Sequence, residues 1–372
     1  MILNISSSQF KHIVSDKRFH LPIRWNNSDF ADTLEQLLET YYWTIYDIHQ
    51  KDDELGLECA IDLKKLRRVI KLIVKAVREY LNGFPAKAFQ TFKGLMSLLE
   101  ETPLRTYHKS IHEQFDDTSY QDPLKLYRVA CTSENVPYER SRLFHTPYDL
   151  RSKVATHRYG IAGFPALYLG TSLELCCEEV NPNPHEQLVL ASRFRLERSF
   201  EKNQVEIEVI ELAIKPQDFF VPNEDNAAFT KSSARRIKSG WLKDPGFRQK
   251  YLLWYPLIAA CSFIRANKKD PFAAEYIIPQ LLMQWVRSKI TQAKNGYSRL
   301  VGIRYFSCAS ERASDMGFNY VFPTSGTQKG ERFCPILTKA FKLTKPHFLH
   351  EYESISKCED ALNHDNSLDF IR

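Results

Sequence analysis

The sequence lacks most of the short signatures that betray an enzyme class. No G-x-G-x-x-G follows an apolar strand, and no Walker loop is present; Gly326-Thr-Gln-Lys-Gly330 lacks the required spacing. A G-x-S-x-G elbow and an H-E-x-x-H pair are also missing, which removes simple dehydrogenase, ATPase, esterase and zinc-protease readings. The cysteines at 59, 131, 176, 177, 261, 308, 334 and 358 form no C-x-x-C and pair with no histidine at zinc-site spacing. They read as reduced core thiols, with no metal site expected. The first residues, MILNISSSQFKH, lack the charged-then-apolar order of a signal peptide. The longest apolar run, Tyr251 to Ile264, is too short to span a bilayer and is broken by Pro256. There is no internal repeat and no low-complexity tract. The expectation is a soluble cytoplasmic protein with no membrane partner.

What is present suits a globular chain. At 372 residues, with 43% hydrophobic and 26% charged content, it can bury a sizeable core and is expected to form two domains. Aromatic residues reach 13%, which serves thick cores or aromatic-lined clefts. The net charge of +6 is compatible with an anionic ligand but does not demand one.

Apolar residues recur at helical spacing from Phe30 to about His49, from Asp62 to Asn82-Gly83, and from Pro85 through Leu99. These three segments predict an all-α N-terminal domain over residues 1–110. The second carries Lys64, Arg68, Lys71, Lys75 and Arg78 as a basic stripe opposite its apolar face, either a solvated face or a surface for an acidic partner or nucleic acid. Residues 102–122 are polar and aperiodic and read as the domain boundary. Arg105 and His112, in this linker, loosely resemble a ribonuclease pair, which leaves an RNA-directed reading as an alternative.

Beyond the linker the pattern becomes α+β. Strands are expected at 125–130, 204–214, 298–308 and 319–323, and helices within 226–265 and at 275–288. An edge strand is expected within 341–353. The catalytic domain is placed at 120–350, and the acidic residues 351–372 read as a loosely held polar tail.

The block HRYGIAGFPALYLGTSLELCCEEV, residues 157–180, is the most ordered local pattern. It predicts a turn, a short strand at Ala166–Leu169, then a helix N-capped by Thr171, with Glu174 completing a capping box. Leu173, Cys176, Cys177 and Val180 form one apolar face. Glu178 falls beside Glu174 in solvent, whereas Glu179 falls on the edge of the apolar face and is expected to be half-buried. Other polar residues interrupt apolar strands: Arg128 in KLYRVA and Ser307 after an apolar start. Each alone has an ordinary explanation, since a strand arginine usually pairs with a carboxylate and a helix-edge glutamate is usually solvated.

Their order is another matter. LYRV at 126–129, HRYGIAGFPALYLG at 157–170, Glu179 eleven residues after Tyr168, and GIRYFS ending at Ser307 together resemble the RES-domain family. The resemblance covers roughly residues 123–345, and the helical N-terminal domain resembles that of the family's long members. It implies a mixed-sheet domain related to the ADP-ribosyltransferase fold. It also implies toxic breakdown of NAD⁺ at the nicotinamide–ribose bond, by phosphorolysis or hydrolysis. NAD⁺, and inorganic phosphate in the first case, would be substrates rather than cofactors. The family's Arg, Glu and Ser correspond to Arg128, Glu179 and Ser307. Arg158 would clamp phosphate beside Arg128, and Tyr168 would face nicotinamide or ribose, with Tyr127 and Tyr159 as secondary substrate-binding candidates. Transfer of ADP-ribose to a macromolecule is the enzymatic alternative. An inhibitory protein partner is expected, because no cell tolerates unchecked loss of NAD⁺.

Overall fold

Where the chain is apolar all round it must be enclosed on every side, and the clearest such segment organises the first of two units. In the computed structural model the described residues are 2–25, 28–49, 59–107, 125–183, 186–196, 205–220, 245–290, 298–326 and 330–371. Strands β1 (Ile2–Ile5) and β2 (Cys59–Asp62) pair antiparallel. Around them stand α1 (Ser7–Ser15), α2 (Phe30–His49), α3 (Leu63–Leu81) and α4 (Pro85–Leu99). Asp62 caps α3 by accepting from the Lys64 and Lys65 amides, and Pro85 opens α4, where its missing amide costs nothing. The N-terminal part is therefore not all-α, and its first 25 residues hold a strand and a capped helix.

The described part of the stretch expected to be helical within 226–265 belongs to this same unit, which among the described residues combines those up to 104 with 214–220 and 245–285. Helix α5 (Pro245–Ala260) is buried continuously from Tyr251 to Ala260. Its tyrosine and tryptophan tips find backbone acceptors: Trp254 donates to Thr102 at 2.8 Å and Tyr255 to Phe19 at 2.9 Å. The neighbouring Tyr41 hydroxyl donates to the Leu252 carbonyl at 2.9 Å. Periodicity finds such a helix but not its address, because a helix without a polar face carries no record of which side meets which neighbour. Helix α6 (Ile277–Lys289) contains the junction between the units, at Trp285 and Val286. No helix among the described residues is long and apolar enough to cross a membrane.

The second unit combines, among the described residues, those of 105–213 and of 286–371. Its mixed sheet, with helices, makes the protein α+β. The strands are β3 (Arg105–Tyr107), β4 (Lys125–Thr132), β5 (Ala166–Gly170), β6 (Leu188–Leu196), β7 (Val205–Leu212), β8 (Ser298–Phe306), β9 (Phe318–Pro323), β10 (Phe341–Leu343) and β11 (His347–Phe348). Their order is β10-β6-β4-β5-β9-β8-β7-β3, with β11 also on β6. Only β7 and β8 run parallel; the other pairs are antiparallel. β4 pairs with β6 along its whole length, yet meets β5 at the single pair Tyr127↔Gly170. The two strands therefore splay at mid-sheet.

Three sequence expectations are corrected here. Residues 102–122 are not all linker: β3 lies at the sheet edge, and Arg105 is paired with the buried Glu208, which also holds Arg299. Arg105 is thus committed to the sheet, and its proposed companion His112 lies outside the described residues. β6 escaped notice because Ser192, Arg193 and Arg195 break its apolar pattern; Arg193 nonetheless lies buried and donates to the Asp365 carbonyl at 3.0 Å. The C-terminal residues are no loose tail. They form α9 (Ile355–His364), following α7 (Leu173–Val180) and α8 (Pro335–Ala340). Cys358 and Leu362, four apart on α9, are fully buried with Tyr127, Val129, Leu173, Cys176 and Ala191. An acidic average composition hid this two-residue apolar stripe. Cys131, Cys176, Cys177, Cys261, Cys308, Cys334 and Cys358 are free thiols, five of these seven buried.

Leu362→Ala leaves a cavity between α9, α7 and β4, and should cost about 2–5 kcal/mol of stability. A lowered urea midpoint with unchanged slope is the expected result. An unchanged midpoint would show that α9 contributes nothing to the second unit.

Candidate active site

Helix α7 is seated by contacts that its sequence makes possible. Ser172, not Thr171, is the N-cap: its side chain accepts from the Leu175 amide, while the Thr171 hydroxyl accepts from the Phe318 amide at 2.9 Å. The expected capping box is absent, and Glu174 pairs instead with Arg312 at 3.0 Å. The remaining free amide at the helix start, Leu173, donates to Glu359 of α9 at 2.8 Å. Burial raises the Glu359 carboxyl pKa, and that amide opposes the shift. On the inner side Cys176 donates to the Tyr127 carbonyl at 3.3 Å. A Cβ on Gly170 would stand 2.6 Å from the Cys176 sulfur, so only glycine at the end of β5 lets α7 lie this close.

The two glutamates at the end of α7 exchange the environments expected of them. Glu178 is half-buried and accepts from Ser310 at 3.2 Å; Glu179 is exposed. A helical wheel sees only its own helix, whereas here the loop after β8 folds over the Glu174–Glu178 side. What singles out Glu179 is a partner rather than burial. Asn319 of β9, only 5% exposed, donates its amide to the Glu179 carboxylate at 2.7 Å. In register, Asn319 stands between Gly170 of β5 and Tyr305 of β8, so the sheet fixes the donor's position.

Arg128 stands where β4 leaves β5. Its Nη1 is buried and has no hydrogen-bond partner among the described residues. No carboxylate among them pairs with it, contrary to the usual fate of a strand arginine. Burial lowers its pKa to about 10, and the nearby Tyr168 hydroxyl pulls the other way. Tyr168, half-buried on β5, packs edge-on to His157 at 5.8 Å between ring centres. A Cβ on Gly160 would stand 2.7 Å from the Tyr168 hydroxyl oxygen, so this glycine leaves room for that hydroxyl. Burial, then the Arg128 charge, lowers the His157 pKa. Tyr305 ties the halves together. Burial raises its hydroxyl pKa strongly, Glu179 and Tyr168 raise it further, and Arg158 acts in the opposite direction.

Tyr305 is linked electrostatically to Glu179, Tyr168 and Arg158, and Arg128 to Tyr168 and His157, while Asn319 holds Glu179. Tyr159 is buried and packs against Tyr305 at 4.5 Å, as a support for that ring. Ser307 is buried two residues beyond Tyr305, and its hydroxyl accepts from the Ala309 amide at 3.1 Å, shaping the turn that carries Ser310 to Glu178. Tyr127 is not in the group. It lies in the core against α9 and donates to Asn363 at 2.7 Å. Asn319 was discoverable as the one amide in the apolar run FNYVFP, and Tyr305 as a neighbour of Ser307; nothing local to either indicated a carboxylate across the sheet.

Chemically, the arrangement offers a cation with no counter-ion among the described residues, an accessible carboxylate held by an amide, and tyrosine hydroxyls near each. Such a set accepts a ligand with an anionic part and a part that becomes cationic. In Asn319→Asp a second carboxylate faces Glu179. The apparent pKa of the pair's last proton should then rise by about one unit or more over that of wild-type Glu179, in a carboxyl NMR titration. An unchanged titration would mean that Asn319 does not govern the charge of Glu179.

No family model matches this sequence, and no solved structure matches it. It is similar, at 27% identity over 354 residues, to a Bacillus subtilis (strain 168) protein named "Putative toxin YopC". The match covers 94% of this chain and 72% of that protein.

Proposed function

We propose that the residues around Arg128 and Tyr168, where β4 and β5 part, bind NAD⁺ and that the protein breaks its nicotinamide–ribose bond, making it a toxin-like NAD⁺-consuming enzyme of the RES-domain type. The observation that carries this reading is Arg128, a half-buried arginine whose buried Nη1 meets no acceptor among the described residues. A charge in that position is costly unless an anion completes it, and a diphosphate supplies oxygens in the bidentate geometry that a guanidinium fits. The name of the similar protein supports the toxin-like part. The order of Arg128, Tyr168, Glu179 and Ser307, with its family resemblance, supports the rest.

In this reading Arg128 and Arg158 hold phosphate oxygens, and Tyr168 and Tyr305 frame the nicotinamide riboside. The bond from C1′ to the pyridinium nitrogen breaks, and its electron pair leaves with nicotinamide, which becomes neutral. Positive charge moves onto the ribose as an oxocarbenium ion. The Glu179 carboxylate, kept in place by Asn319, interacts more strongly with that cation than with the ground state, which is what lowers the barrier. Water then bonds to C1′ and passes its proton to solvent, or hydrogen phosphate bonds to C1′ through an anionic oxygen with no proton to lose. Ser307 serves as a hydrogen-bond donor to ribose or phosphate; no base beside it is called for. Activity of this kind requires restraint, so the proposal includes an inhibitory protein partner.

Purified protein should deplete NAD⁺, and product analysis in phosphate-containing and phosphate-free buffer identifies the acceptor. Arg128→Ala and Glu179→Gln should each lower kcat/KM by about a hundredfold or more while the circular dichroism spectrum is unchanged. NAD⁺ left intact by wild-type protein in both buffers would overturn the proposal. Label from NAD⁺ found on a protein or nucleic acid would replace it with ADP-ribosyl transfer.

A further inference from the structure

Helix α3 holds seven cations, Lys64, Lys65, Arg67, Arg68, Lys71, Lys75 and Arg78, against one acid, Glu79. Its net charge equals the +6 of the whole chain, so the remaining residues carry 44 cations and 44 acids. The rest of the chain is balanced in sum, so this one helix carries as much net charge as the whole protein.

The flanking cations are satisfied by neighbouring helices. Lys65 reaches Glu101 at 2.7 Å, Arg67 reaches Glu39 at 2.6 Å, and Arg78 reaches Glu35 at 2.6 Å and Asp32 at 3.0 Å. The exposed ridge is made of Lys64, Arg68, Lys71, Lys75 and Arg78, the last of which is already paired with α2. Lys75 lies 3.8 Å from Glu79, which it shares with Lys87 at 3.7 Å. The side chains of Lys64, Arg68 and Lys71 make no ion pair or hydrogen bond among the described residues. Successive ridge members are four, three, four and three residues apart, so all four neighbouring pairs are like-charged and oppose the helix. A face meant only for water normally mixes signs at these spacings. This one is tuned against its own stability, and a partner that neutralises it recovers the loss.

The surroundings specify that partner. Carboxylates border the ridge on both sides, Asp32, Glu35 and Glu39 of α2 and Glu79 and Glu101 beside α4, so the attractive strip is narrow. A nucleic-acid duplex would bring its second strand over those acids. A single strand would want exposed aromatic rings among the cations, and the ridge has none. Large apolar side chains stand instead at its two ends. Trp43, 49% exposed, lies beside Arg67, and Leu81 and Phe84, 41% and 59% exposed, follow Arg78. From Lys64 to Arg78 the ridge runs about 21 Å. We propose that α3 is the docking surface for an acidic amphipathic helix of a partner protein, whose carboxylates at three- and four-residue spacing meet the ridge and whose apolar residues cover Trp43 and the Leu81–Phe84 end. This interaction does not depend on the chemistry proposed around Arg128.

The test uses the full-length protein and three fluorescent probes: a designed helical peptide with glutamates at three- and four-residue spacing and a leucine near each end, a scrambled peptide of the same composition, and a 20-nucleotide single strand. Anisotropy titrations at 50 and 300 mM NaCl should show the designed peptide binding at least tenfold more tightly than either other probe, with affinity falling at least tenfold at the higher salt. The triple variant Lys64→Gln, Arg68→Gln, Lys71→Gln should lose at least tenfold in affinity at an unchanged melting temperature. Leu81→Ser with Phe84→Ser should weaken the peptide and leave the salt dependence intact. Absence of peptide binding by the wild-type protein, tighter binding of the oligonucleotide, or a triple variant that binds like wild type would each overturn the proposal.

Discussion

A guanidinium taken out of water without a carboxylate beside it is the constraint on which the second unit's candidate site depends. Arg128 is placed by β4, whose full pairing with β6 leaves no freedom to slide. The single pair between β4 and β5 keeps the strands joined at Tyr127 and Gly170 and lets them diverge at Arg128. Had the two strands paired throughout, the arginine would have met a neighbouring strand instead of a cleft. Burial lowers the pKa of Arg128, and its own burial, then the Arg128 charge, lowers that of His157.

The opposite wall depends on α7, and α7 depends on contacts from distant parts of the chain. Gly170 gives it room, the Tyr127 carbonyl holds Cys176, and Glu359 takes the Leu173 amide. The C-terminal helix α9 is thus part of what positions Glu179, although it lies almost two hundred positions later. Asn319 supplies the last element, fixing the carboxylate from the sheet side. Cores on both faces of the sheet make this stiff: one runs from Leu126 and Phe194 to Phe322 and Phe341, the other from Tyr127 to Leu362.

Much of this was legible in the residues. Helices α2, α3 and α4 lie where their periodicity and end signals put them, because amphipathic helices record their own limits. β4, β5, β7, β8 and β9 were legible as apolar runs with punctuation. What could not be read were relations between distant segments. The wheel around α7 reversed the exposure of Glu178 and Glu179, because the loop holding Ser310 lies 132 positions away. Tyr127 sits beside Arg128 in sequence yet faces the opposite core, as strand alternation allows. The apolar α5 and the acidic α9 failed in opposite ways, one with no polar face to orient it, the other with too few apolar residues to attract notice.

The account stands or falls on what Arg128 holds. A crystal structure of the Glu179→Gln variant soaked with NAD⁺ measures this directly, since that substitution should slow cleavage without removing the guanidinium. The expected density places phosphate oxygens within hydrogen-bond distance of Arg128 Nη1 and the ribose next to residue 179. NAD⁺ bound elsewhere, or an Arg128 side chain turned onto a carboxylate of the protein itself, would contradict it.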